Sequence, residues 1–248
     1  MPRLEIDEQG ETLDKICGEL EIFQARRGYR FGIETLLLSA FVSPGAKKLV
    51  DLGTGSGVMP IVMCRFDRSQ KAWGVEIQTS LAERARRSVA HNGLEDRVQI
   101  IEGDFRALEG ILPAGGFDRV LANPPYETGF GRINENGEKA AGRHEINGSL
   151  DELVAAAARL LKPPGRFAMV APPKRLPETL EACFKHGFRP IRLRLAYGRV
   201  ELPSKHFLLE AIRGGRAELA VEPPLIIYKN PNRYTDEVEA MLYPRGRG

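Results

Sequence analysis

Cysteine is scarce in this chain: three residues, Cys17, Cys64 and Cys183, among 248. An odd, widely spaced set excludes a disulfide framework and a Cys-rich zinc site. Small buried thiols in a reducing compartment are expected instead. The four histidines, His91, His144, His186 and His206, stand at no metal-ligand spacing, so no metal is expected. No apolar run approaches the roughly 20 residues that a membrane-spanning helix needs. The start, Met1-Pro2-Arg3-Leu4-Glu5, has no apolar signal core, so a cytoplasmic protein without a membrane partner is expected. There is no internal repeat and no low-complexity tract. The formal net charge is only +3. It is unevenly spread, however: residues 159–248 hold 17 Lys/Arg against 9 Asp/Glu, and residues 1–158 hold 19 against 24. A basic C-terminal third can be a solvated surface or a face for nucleic acid.

An apolar content of 42% and a charged content of 28% suit one compact α/β domain with small additions. Short apolar runs alternate with helical stretches, the pattern of a doubly wound, mostly parallel sheet covered on both faces. Lys48–Leu52 is the first core strand, followed by a glycine turn and a helix near Val58 to Phe66. Lys71–Glu76 is the second strand, and its helix, from about Thr79, stops at Asn92-Gly93. Val98–Glu102 and Phe117–Ala122 are the third and fourth strands. Ser149 and Glu152 form a capping box for a helix to Leu161, which Lys162-Pro163-Pro164-Gly165 stops. Arg166–Ala171 is the fifth strand and Leu176–His186 a helix. Ile191–Leu195 alternates apolar and basic residues with period two, as in a strand buried on one side. His206–Ile212 is read as its antiparallel partner, closing the sheet. Before the core, Gly18 to Arg30 reads as an extended stretch or hairpin and Ile33 to Val42 as a helix halted by Ser43-Pro44-Gly45. Residues 1–45 are too short to bury a core of their own. They are read as an N-terminal extension packed on a domain of residues 46–248. The polar, Gly-rich stretch 127–147 is of a length that, inside a compact domain, is usually a functional lid or disordered.

Asp51-Leu52-Gly53-Thr54-Gly55-Ser56-Gly57 joins a strand to a helix. Its glycines permit a sharp turn and close approach of a ligand to the backbone. Such a turn alone could serve NAD, FAD or S-adenosylmethionine. The acids around it discriminate. Asp51, two residues before the first glycine, would repel a pyrophosphate but suits a cationic amino-acid group. Glu76, ending the next strand, can accept from two ribose hydroxyls. Asp104, after strand three, can accept from an adenine amino group. Three acids around one turn fit S-adenosylmethionine, with its ammonium and sulfonium. Acids at helix N-termini also serve the helix dipole, which is the purely structural alternative.

Asn123-Pro124-Pro125-Tyr126 follows the fourth strand directly. The Asn123 side-chain oxygen and the Pro124 carbonyl are two acceptors that can hold both N–H bonds of a planar amino group, while consecutive prolines stiffen the loop. Holding those bonds lets the nitrogen pyramidalise as it attacks a methyl group. Oriented oxygen dipoles then stabilise the positive charge that develops on it. Tyr126 can stack on the planar group and align it. Elsewhere, an isolated Asn-Pro-Pro marks no more than a turn.

The core from about Lys47 to Ile212, with these motifs, resembles the class I methyltransferase superfamily. The resemblance implies a Rossmann-like seven-stranded sheet whose seventh strand runs antiparallel. It also implies S-adenosylmethionine bound by Asp51, Gly53, Thr54, Gly55, Gly57, Glu76, Ile77, Asp104, Phe105 and Asn123, with Phe31 from the segment before the core. The Asn-Pro-Pro-aromatic motif is found there in enzymes acting on adenine N6, guanine N2 and glutamine amides. The flanks Gly28–Leu38, Arg143-His144-Glu145 with Leu150, and Leu202–His206 resemble bacterial tRNA adenine-N6 methyltransferases that modify an adenine beside the anticodon of a valine tRNA. That likeness implies a tRNA partner, Asn123, Pro124 and Tyr126 as catalytic residues, and substrate contacts at Pro125, Tyr126, His144, Arg192, Arg194 and Lys205. Arg192 and Arg194 share a strand face, and Arg189, Arg199, Arg213 and Arg216 lie nearby in sequence, which suits phosphate contact. The alternatives are a protein glutamine methyltransferase, an rRNA guanine-N2 methyltransferase, and a non-catalytic RNA-binding protein. The first usually carries a larger helical N-terminal domain and the second resembles a duplicated form of this domain.

Overall fold

The computed structural model describes residues 3–4, 10–27, 30–124, 148–215, 218–231 and 233–243. An N-terminal antiparallel hairpin is made of β1 (Glu11–Ile16) and β2 (Leu20–Ala25). Its turn lies at Cys17-Gly18, both at positive φ, so the hairpin begins earlier than the Gly18–Arg30 stretch expected from sequence. Helix α1 (Ile33–Phe41) leads to the core. There follow β3 (Ala46–Leu52), α2 (Val58–Arg65), β4 (Ser69–Glu76), α3 (Thr79–His91), β5 (Val98–Glu102) and β6 (Phe117–Ala122). After residue 147 come α4 (Leu150–Leu160), β7 (Leu161–Ala171), α5 (Leu176–Lys185), β8 (Phe188–Tyr197) and β9 (Ser204–Arg213). The described chain ends with α6 (Asp236–Leu242). Among the described residues, no helix is long and apolar enough to cross a membrane.

The main sheet runs β5-β4-β3-β6-β7-β9-β8, and the two-residue strands Ala220–Val221 and Leu225–Ile226 pair with the outer edge of β8. Every core strand is parallel except β9, which is antiparallel to both neighbours. The doubly wound, mostly parallel α/β sheet is therefore present. One detail differs: His206–Ile212 does not close the sheet but inserts between β7 and β8. Phe207, Leu208, Leu209 and Ala211 are all fully buried, so this strand needs cover on both faces and both edges. The alternating arginines of β8 suit the outer position. The helix ends at Leu160, where Lys162-Pro163-Pro164-Gly165 was expected to stop it, and that segment opens β7 with its prolines exposed.

Side chains of the central strands divide between two cores. Leu49, Leu121, Ala168, Val170 and Leu208 face the layer of α1, α2 and α6, together with Ile16, Leu20 and Ile22 of the hairpin. Val50, Val120, Phe167, Met169, Phe207 and Leu209 face α4 and α5. This period of two within near-continuous apolar runs is what a sheet covered on both faces demands. The capping box of α4 is formed: Glu152 N donates to Ser149 Oγ at 3.2 Å and Ser149 N to Glu152 Oε2 at 2.7 Å.

One acid interrupts β9. Glu210 is 0% exposed and accepts from Arg119 of β6 at 3.0 Å and from Arg192 of β8 and Ser43 at 3.2 Å, with Arg166 of β7 at 3.6 Å. Three guanidinium groups on three strands thus converge on one buried carboxylate and lock the order of the antiparallel insertion. Removing one partner of a buried ion pair leaves uncompensated charge. We expect Glu210→Ala to cost about 3–5 kcal/mol, read from urea unfolding at pH 7; a loss below about 1 kcal/mol, the scale of a surface pair, would show the network is not structural.

Candidate active site

Three adjacent strands deliver the motif residues to one edge. In the parallel pairing, Leu52 of β3 lies opposite both Val75 of β4 and Ala122 of β6. The glycine turn, Glu76 and Asn123 therefore leave the sheet side by side at its carboxyl end, where doubly wound sheets form their ligand crevice.

Asp51 sits in this edge fully buried, at 0% exposure. Neither its carboxylate oxygens nor the buried hydroxyls of Thr54 and Ser56 reach full hydrogen-bond geometry, although the Thr54 hydroxyl lies close enough to act on the carboxyl. Burial pushes the Asp51 carboxyl up to about 7; the nearby Thr54 hydroxyl works against this and the Glu76 charge adds to it. A buried carboxylate and two hydroxyls without partners are a donor set prepared for a ligand that brings N–H groups and positive charge.

Glu76, 5% exposed, is oriented by the backbone: Oε2 accepts from Gly55 N and Oε1 from Gln78 N, both at 2.9 Å. Burial raises its pKa and these amides oppose the rise. Gly53, Gly55 and Gly57 all have positive φ. At Gly57 a side chain would also meet Ala85 Cβ of α3 at 3.1 Å, so glycine lets α2 start against α3. A residue that the sequence reading passed over, Gly74 of β4, completes the turn. A Cβ there would lie 2.7 Å from Thr54 Cγ2, so its absence seats Thr54 on the sheet. A glycine inside a strand is the available signal for such close approach.

Around this centre the other expected cofactor residues are arranged as follows. Ile77 and Phe105 are half-buried just beyond the ends of β4 and β5. Asp104 accepts from Arg106 through Nε at 2.9 Å and Nη2 at 2.6 Å, and this partner holds its carboxyl below the usual range. Phe31 packs on the first core, its N–H donating to Gln24 Oε1 of the hairpin at 3.1 Å. Arg30 next to it is tied to Thr12 at 3.0 Å, the Ala25 carbonyl at 2.9 Å and Asp14.

Asn123 is half-buried, and its Nδ2 donates to Thr35 Oγ1 of α1 at 2.9 Å. Pro124 ends this described segment; the expected site residues Pro125, Tyr126 and His144 lie outside the described residues. Of the three flanks singled out in the sequence, the first and the last come together. Glu34 of α1 acts electrostatically on His206 of β9, whose pKa burial lowers, and Lys205 is exposed at the same edge.

Arg192 and Arg194 are not brought to this edge. They lie on β8, separated from β3 by three strands, and their guanidinium groups are used within the chain. Arg192 stacks on Phe41 and binds Glu210 and Glu222; Arg194 binds the Pro223 carbonyl at 2.9 Å and Glu237 at 2.7 Å. A period-two pattern reveals which face a residue shares but not which partners cover that face. Among the described residues, no group of His, Cys, Asp and Glu could hold a metal ion.

Comparison with known proteins gives a consistent likeness. The family model for the methyltransferase small domain matches residues 31–189. A protein of Porphyromonas gingivalis named tRNA1(Val) (adenine(37)-N6)-methyltransferase is 29% identical over 165 residues, covering 64% of each chain. An Aeromonas salmonicida protein of the same name is 28% identical, covering 88% of this chain and 91% of that one. The match thus spans less than two thirds of the Porphyromonas relative's length. Among solved structures, a predicted O-methyltransferase from Agrobacterium tumefaciens aligns at a TM-score of 0.68 and 24% identity, covering 84% of this chain and 94% of that one. TYW2 of M. jannaschii, solved in complex with AdoMet, aligns at 0.58 and 17%, covering 84% and 88%. Both share the fold.

The raised carboxyl has a consequence for the ligand-free protein. With a folded pKa of about 7 and an ordinary value of 3.8, the native state binds the proton more tightly than the unfolded chain. Stability therefore falls as pH rises from 4 towards 7, by an amount of order 4 kcal/mol from this group. Asp51→Asn should melt several degrees higher than the parent at pH 8 and no higher at pH 4; an equal difference at both pH values would contradict the assignment.

Proposed function

The chain belongs to the methyltransferase small-domain family, and from that premise we propose that it transfers the methyl group of S-adenosylmethionine to the N6 amino group of an adenine in a tRNA. The observation that carries this reading is the juxtaposition of a buried, partnerless Asp51 with Asn123 at the ends of adjacent strands β3 and β6. A site for a cation thereby stands beside a loop whose oxygens can hold an amino group. The curated relatives named above act, by their names, on adenine 37 of a valine tRNA, and this supports tRNA as the acceptor. A tRNA acceptor supports a cytoplasmic location.

In this reading the roles of the residues are distinct. S-adenosylmethionine, when bound, supplies an electrophilic methyl group on a sulfonium. Asp51, with Thr54 and Ser56, receives the ammonium of the amino-acid portion. Glu76 keeps lone pairs beyond those given to Gly55 and Gln78 and accepts from the ribose hydroxyls. Asp104, kept ionised by Arg106, accepts from the adenine amino group of the cofactor, and Phe31, Ile77 and Phe105 enclose its ring. The Asn123 oxygen and the Pro124 carbonyl take the two N–H bonds of the acceptor, and Tyr126 stacks on the base, which must be splayed from its loop to reach it. Proton loss follows transfer, so no side chain is needed as a base beforehand. Lys205, exposed at the same edge, is the basic residue assigned to a phosphate; Arg192 and Arg194 serve β8 and its cover instead.

The test is methyl transfer from radiolabelled S-adenosylmethionine to total tRNA from a strain lacking this gene, followed by nucleoside mass spectrometry. New N6-methyladenosine in a tRNA is expected, and a transfer product found only in protein or rRNA would refute the acceptor. Asn123→Ala should reduce turnover by about 10²–10³-fold, the scale of losing one preorganised polar group, with cofactor affinity within about threefold (under 1 kcal/mol). Asp51→Ala should instead weaken cofactor binding by about tenfold or more, as loss of a charged partner does.

A further inference from the structure

An asparagine amide has two ends of nearly equal shape and opposite hydrogen-bonding sense. In the reaction proposed above, only the carbonyl end of Asn123 is useful, because its amino end would set donor against donor at the acceptor nitrogen. Something must therefore select the rotamer. The Asn123 Nδ2 donates to Thr35 Oγ1 at 2.9 Å, which turns the donor end of the amide towards α1 and the acceptor end the opposite way.

Thr35 is held firmly. It is 4% exposed and begins the apolar run Leu36-Leu37-Leu38, all at 3% exposure or less. Its N–H donates to the Gly32 carbonyl at 3.3 Å, and its own carbonyl accepts from Ser39 Oγ at 2.9 Å. A threonine in a helix has only two common χ1 choices, and the one adopted here puts the Thr35 hydroxyl on Asn123. The segment that enters α1 is pinned in turn by Arg30 to the hairpin. A polar side chain at the buried head of an apolar helix is costly unless it has a partner. Here the partner is the residue that would meet the substrate.

We propose that Thr35 is a positioning residue: its hydroxyl oxygen takes the Asn123 N–H and so makes Asn123 present its carbonyl oxygen to the acceptor amino group. This rests on the reading of Asn123 given under the proposed function.

Two variants of the full chain test it. Thr35→Val keeps shape and removes the acceptor; Thr35→Ser keeps the acceptor. Thr35→Val should lose about tenfold in kcat, which is about 1.4 kcal/mol, with cofactor Kd within about threefold (under 1 kcal/mol). Thr35→Ser should stay close to the parent. A second readout does not depend on activity: the side-chain amide signals of Asn123 in ¹⁵N-labelled protein, identified by their loss in Asn123→Asp, should shift in Thr35→Val and persist in Thr35→Ser. Parent-like kcat in Thr35→Val, unmoved Asn123 amide signals, or an equal loss in both variants would overturn the proposal. If the parent transfers no methyl group to tRNA, the acceptor reading fails separately, and the amide signals alone decide whether Thr35 orients Asn123.

Discussion

Burying Asp51 without a hydrogen-bond partner is the constraint around which the carboxyl edge of the sheet is organised. A carboxylate in that position is unfavourable for the folded chain by itself, since nothing among the described residues neutralises it. It persists because β3 is a central strand, held between β4 and β6 and covered by helices on both faces. The hydroxyls of Thr54 and Ser56 beside it are buried with it, and the missing side chain at Gly74 makes room for Thr54. Stability is sacrificed locally for a site that a cationic ligand completes.

The charged residues follow a division of labour along the strands. At the carboxyl edge, acids stand with few cations: Asp51 and Glu76 are oriented by backbone or by nothing, and Asp104 by one arginine. Nearer the opposite ends of β6, β7 and β8, Arg119, Arg166 and Arg192 converge on the buried Glu210. The basic surplus of the C-terminal third is therefore spent in part on holding β9 in place between two parallel strands. Charge counted along a sequence does not separate these uses, because pairing is a property of cross-strand neighbours.

Much was legible beforehand, for identifiable reasons. Strands Val98–Glu102 and Phe117–Ala122 were bounded correctly because apolar runs between turn residues leave little choice. The cap at Ser149 was readable because both of its partners are local. The order of β8 and β9 was not, since periodicity identifies a strand but not its edge; that needed the burial of Phe207 to Ala211 in three dimensions. At the proposed site, Asp51, Glu76 and Asn123 were singled out from spacing and strand position, and the parallel pairing brings these positions to one edge. Thr35 was not assigned a role, as it lies 88 residues from Asn123 and only the folded chain pairs them. Gly74 was missed because a lone glycine in a strand signals a close approach without naming what approaches.

The claim that the site is built around a buried, uncompensated carboxylate is tested most directly by ¹³C NMR titration of the Asp51 carboxyl, with and without S-adenosylmethionine. In the ligand-free protein the midpoint should lie at about 7. With cofactor bound it should move well down, because an ammonium beside a carboxylate favours its ionised form. An ordinary carboxylate midpoint in the free protein, or one that the cofactor leaves unmoved, would contradict the assignment of Asp51 as the group that receives the cation.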